Sequence, residues 1–124
     1  MVLTALETIT HQTAATAAAS IHMHYEGEVV ETPLGSFTGI DGLDGVAVLA
    51  PHQGLVEFFP GDQQPLSNLG PIAASVVASG WRVAVLVSTG RMGDAHRSLR
   101  GFPLQLQSWW ADGDRICFGG HEVP

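Results

Sequence analysis

The sequence predicts an α/β (or α+β) domain: a mixed β-sheet with a βαβ unit, a C-terminal β-hairpin and two to three helices. Three observations carry this reading. The apolar run Val83–Val87 has strand composition and turns at Ser88-Thr89-Gly90 into a segment of helical spacing. A helical stripe, Leu69, Ile72, Ala73, Val76 and Val77, lies between that run and an earlier strand-like run, Leu55–Phe59. Asp112-Gly113 separates two more strand-like runs, which is the composition of a tight hairpin turn.

Length and composition agree with one domain over residues 1–124. Of the 124 residues, 45% are hydrophobic, enough to build a core at this size. No run approaches the roughly 20 apolar residues that cross a bilayer, so no membrane partner is expected. The net charge of −7 disfavours nucleic acid, because phosphate contacts need a basic surface. There is no lysine; the five fixed cations are arginines, and Arg91, Arg97 and Arg100 fall in one short window. Cys117 is the only cysteine, which leaves no internal disulfide and no cysteine-based zinc site. The start of the chain has no basic region, and Glu7 and His11 interrupt its apolar pattern. No signal peptide is therefore expected, and the cytoplasm is the expected compartment.

Taken in order, residues 3–20 read as an N-terminal helix within residues 1–20. Leu3, Leu6, Thr10, Ala14, Ala17 and Ile21 recur every three or four positions. From Ile21 the period changes to two: His22, His24, Glu26 and Glu28 alternate with Met23, Tyr25, Gly27 and Val29, the pattern of a strand. Thr32-Pro33-Leu34-Gly35 fits a type I turn, with Ser36–Ile40 as the returning strand and Asp41–Gly45 as a loop. Val46–Ala50 and Leu55–Phe59, joined by Pro51-His52-Gln53-Gly54, fit a hairpin. Asn68 is placed to cap a helix running to Ser79, with Gly80 as its left-handed end. Leu55–Phe59, this helix and Arg82–Val87 make the βαβ unit. Thr89 is placed to cap the next helix, with Met92, Ala95 and Leu99 buried and Gly101 and Pro103 ending it. In the C-terminal hairpin a type I′ turn at Asp112-Gly113 pairs Ala111 with Asp114, Trp110 with Arg115, Trp109 with Ile116 and Ser108 with Cys117. One face then carries Trp109, Ile116 and Phe118, and the other Leu104, Leu106, Trp110 and Cys117.

Three constellations compete for function. Trp109, Trp110, Ile116 and Phe118 leave the hairpin apolar on both faces. Either it is covered on both sides or one face meets a partner, and aromatic residues of this kind anchor interfaces. Ser88, Thr89, Gly90, Arg91 and Gly93 supply hydroxyls, a guanidinium and free N–H groups to an anion, at the strand end where open α/β sheets bind ligands. The dinucleotide glycine fingerprint and the phosphate-loop lysine are both absent from that turn. His22, His24 and Glu26 would share a strand face as two imidazoles and a carboxylate, a set known for zinc or non-haem iron. A Ser88–Asp94–His96 triad lacks a nucleophile elbow and is set aside. The leading expectation is a small soluble, non-catalytic subunit or adaptor that acts through association, as a homo-oligomer or with a protein partner. No catalytic residue and no cofactor are assigned. The alternatives are a small-molecule or phosphate-binding domain using Ser88–Gly93 and a metal-dependent enzyme using His22 and His24.

Overall fold

The computed structural model describes residues 10–25 and 27–124. The elements are α1 (His11–Tyr25), β1 (Val30–Pro33), α2 (Leu34–Thr38), β2 (Gly45–Ala50), β3 (Leu55–Pro60), α3 (Leu69–Ala78), β4 (Arg82–Ser88), α4 (Met92–Ser98), β5 (Gln105–Asp112) and β6 (Arg115–Phe118). The strands form one six-stranded mixed sheet in sequence order. β1, β2 and β3 are antiparallel, β3, β4 and β5 run parallel, and β6 returns antiparallel to β5.

Strand alternation divides the core between two faces. Val56 and Phe58 of β3 and Val83, Val85 and Val87 of β4 point to one side, where Leu69 and Ala73 of α3 and Ala95 and Leu99 of α4 cover them. Both crossover helices lie on this side, as two right-handed crossovers stepping the same way across a sheet require. Phe59, Ala84, Leu86 and Trp109 point to the other side, against Ala14, Ala15, Ala18 and Ala19 of α1. A stripe of alanines lets the helix sit close to the strands. Gln12 Nε2 and Thr16 Oγ1 tie α1 to the edge strand by donating to Glu31 Oε1 at 3.2 and 3.1 Å.

The mixed sheet, the βαβ unit and the Leu55 hairpin are as the sequence predicts, and Ala50 pairs with Leu55. The ends of the chain differ. Helix α1 continues through Ile21–Tyr25, where a strand is expected. The Ala14–Ala19 run has the highest helix propensity in the chain, and it carries the helix past the local alternation. Gly27, at φ +95°, follows its end. The buried stripe is Ala14, Ala15, Ala18 and Ala19 instead of Ala14, Ala17 and Ile21; Leu3 and Leu6 lie outside the described residues. The expected Thr32–Gly35 turn and Ser36–Ile40 strand are the end of β1 and the short helix α2. Gly39, at φ +73°, closes α2 by donating its N–H to the Gly35 carbonyl at 2.8 Å. With α2 there are four α-helices among the described residues, one beyond the expected range.

Neither Asn68 nor Thr89 caps a helix with its side chain; short 3₁₀ turns at Leu66–Asn68 and Thr89–Arg91 lead into α3 and α4. The C-terminal hairpin turns at Gly113-Asp114, so Trp109 faces Phe118, Trp110 faces Cys117 and Ala111 faces Ile116. Trp109 is thus not opposite Ile116. Moving the turn by one residue moves each partner by two, which leaves both face assignments intact. Beyond β6 the chain continues after Gly119-Gly120 with a bridge between Leu106 and Glu122. That is one residue out of step with β6, the mark of a bulge. No described helix is long and apolar enough to cross a membrane.

Candidate functional site

Among the described residues the α1 face of the sheet is incompletely covered. Between the C-terminal half of α1 and the chain after β6 lies an open cleft of about 350 Å³, floored by the N-terminal ends of β3, β4 and β5. Leu55 and Glu57 come from β3, Arg82 and Ala84 from β4, and Gln105 and Gln107 from β5; these are the outward members of each strand's alternation on that face. Ala18, Ile21 and His22 of α1 form one wall, and Phe118 and His121 the other.

Its deepest polar feature is an imidazole–carboxylate pair. His22 Nε2 lies 2.7 Å from Glu57 Oε1, with side chains 15% and 8% exposed. Glu57 sits mid-strand, beside Val48 on β2 and Ala84 on β4. His22 extends the alanine stripe by one helical step from Ala18, which aims it at the sheet. The carboxylate sets the tautomer: Nε2–H donates to Glu57 and Nδ1 accepts. Gln53 Nε2 approaches that Nδ1 at 3.4 Å and the His52 ring nitrogen at 3.2 Å. At the mouth, Arg82 donates to the Gln53 carbonyl at 3.2 Å. Gln107 Nε2 donates to the Gly119 carbonyl at 2.8 Å, fastening the chain after β6 to the floor. This arrangement can orient a ligand's polar groups and hold a proton acceptor against an apolar wall.

The sequence-predicted sites fare differently. His22 and His24 do not share a face: on a helix, residues two apart point in nearly opposite directions. His24 is exposed and Glu26 lies outside the described residues. Among the described residues no three metal-ligating side chains are grouped. At the Ser88–Gly93 turn, Arg91 is turned inward, donating to the carbonyls of Gly61 at 2.9 Å and Gln64 at 2.7 Å. Thr89 Oγ1 donates to the Trp109 carbonyl at 3.3 Å. Buried Gln64 accepts from the Asp44 N–H at 2.8 Å, and the Gly61 N–H donates to the Asp44 carbonyl at 2.9 Å. The C-terminal ends of the strands are therefore occupied by the protein's own polar groups. The α-helix that follows has only seven residues. Ser88, Asp94 and His96 are not joined: His96 pairs with Glu122 at 2.8 Å, and Asp94 accepts from Ser98 at 3.2 Å.

The hairpin residues divide. Trp109 is buried, Trp110 is 42% exposed, and Ile116 and Phe118 are half-buried against the α1-side core. Cys117 is a half-buried free thiol on β6. Sequence reading missed Glu57 and His22 as a pair. The available signal was a carboxylate inside an apolar five-residue run, Leu55–Phe59, since a charge there must find a partner or solvent. Comparison with protein-family models, with curated proteins and with solved structures found no match.

Proposed function

We propose that this chain binds a small organic molecule in the cleft on the α1 face. The His22–Glu57 pair is the observation that carries the reading. Val48 and Ala84 show what normally fills the centre of this sheet face. A buried polar pair that includes a carboxylate seldom gains stability over apolar residues of the same volume. A pair held there at the floor of an open cleft is better accounted for by what it contacts in the cleft. An apolar concavity with a few convergent polar groups is the usual form of a small-molecule site. On this reading the chain is a binding module of the cytoplasm that needs no cofactor.

The test is a soluble fragment library screened by amide chemical shifts on the isotope-labelled chain. Binders should shift Leu55, Ala84 and Gln107 together, and His22→Ala should abolish those shifts while the spectrum of α3 and α4 stays in place. A library that produces no binders at the cleft would overturn the reading.

A second reading, association through the hairpin, is favoured by Trp110, a large aromatic of β5 that is 42% exposed. Exposed aromatics are enriched in interfaces. Light scattering should then report a dimer or larger assembly, or a protein partner should co-purify, and Trp110→Ala should weaken that association. A monomer that co-purifies with nothing would remove this reading.

A further inference from the structure

Resting on the cleft-binding reading, we infer that the ligand is a small organic anion, a carboxylate or a phosphate ester on an apolar body, held with its charged end at Arg82. The chain has a net charge of −7 and only five fixed cations, so the placement of each cation is informative. Arg91 is committed to two backbone carbonyls. Arg97 lies 3.7 Å from Asp94 on the surface. Arg82 is the arginine that lines the cleft, and among the described residues it has no carboxylate partner. One of its nitrogens donates to the Gln53 carbonyl. Among the described residues no other group takes the guanidinium fork, and that fork matches carboxylate and phosphate oxygens. The Gln105 amide and the His121 ring line the same cleft and add donors.

Glu57 fixes the orientation. It stands on the same sheet face as Arg82, two strand positions along, since Leu55 and not Glu57 is the direct partner of Arg82. Its carboxylate is at the floor and 8% exposed, with Oε1 taken by His22. An anion directed inward would meet that charge with little water to screen it. The anionic end therefore stays at the mouth, and the apolar body lies on Ile21, Leu55 and Phe118. The interior of the cleft suits an apolar or hydrogen-bond-donating end.

The experiment is an amide-shift titration of the full chain with four probes on one ring: benzoate, phenyl phosphate, benzamide and benzylammonium. Benzoate, phenyl phosphate or both should shift Leu55, Arg82 and Gln105, and should bind about tenfold tighter than benzamide, the scale of one charge-assisted hydrogen bond. The stronger of the two anions identifies the ligand as carboxylate or phosphate. Arg82→Gln should erase the preference, bringing the anions down to the affinity of benzamide. Arg82 is exposed, and the strand contact from its backbone N–H to the Gly54 carbonyl survives the substitution, so the fold is retained. Benzamide or benzylammonium binding as tightly as the anions would overturn the inference, as would an anion preference that survives Arg82→Gln. If no probe shifts the cleft while fragments of the library do, the inference falls alone. If neither set shifts the cleft, the binding reading falls with it.

Discussion

Trp109 and Trp110 are chain neighbours in opposite environments, because strand alternation sends one under α1 and the other outward. Trp109→Ala should cost about 3–5 kcal/mol, the range for truncating a buried aromatic residue. Trp110→Ala should cost under about 1 kcal/mol, as surface changes do. Urea midpoints measure both, and equal losses would contradict the opposite facing of the two side chains. Trp109, with Phe118, packs in the α1-side core, which leaves Trp110 as the exposed aromatic of the hairpin. Arg91 makes the same point for the Ser88–Gly93 turn. Arg91→Met should destabilise the domain by about 1–3 kcal/mol, since it strips two carbonyls of their donor. Urea unfolding of the variant, with a phosphate titration beside it, separates the roles. An unchanged midpoint together with lost phosphate binding would return Arg91 to ligand recognition.

At the scale of elements, local punctuation placed the end of α3 correctly. Gly80 follows the C-cap of α3 at φ +109°, where an added side chain would meet nothing within 4 Å. The strain of a substitution there is purely that of the backbone. Gly80→Val should therefore lower stability by about 1 kcal/mol or more, because β-branched residues resist the left-handed region; an unchanged urea midpoint would refute this. The C-terminal turn shows where local punctuation is degenerate. Asp112-Gly113 and Gly113-Asp114 both suit a two-residue hairpin loop. The observed loop puts Gly113 first, at φ +65°. The choice shows in the pairing beyond the turn, with Trp109 opposite Phe118 and a bulge at Gly119-Gly120. In α1 the competition ran between a two-residue polar alternation and an alanine run. Helix propensity accumulated over many residues outweighed the alternation of a few.

For the whole molecule, β3 and β4 lie at the middle of the sheet with helices on both faces, while β1 and β6 are four-residue edges. Local opening is easiest where few contacts are lost. Amide exchange should be slowest in Leu55–Pro60 and Arg82–Ser88 and fastest in Val30–Pro33 and Arg115–Phe118. Fast exchange in Arg82–Ser88 would mean that the order of the sheet is wrong. The three helices α2, α3 and α4 over one face and the single helix α1 over the other also locate the cleft: α1 covers β2 and part of β3, and the N-terminal ends of β4 and β5 are left beside it.

The sequence by itself determined the class of the fold, the βαβ unit, the Leu55 hairpin and the faces of α3, α4 and the C-terminal strands. Each of these is written in short-range periodicity and turn chemistry, which neighbours in the chain enforce. Only the tertiary structure decided which surfaces are filled and which are left open. Arg91 and Gln64 are drawn together from separate loops and close the strand ends where a ligand is expected. His22 and Glu57 are 35 positions apart, and no local pattern links them. They meet because a helix lies across the sheet at one particular offset. That offset is set by the summed packing of Ala14, Ala15, Ala18 and Ala19 against strands distant in the chain.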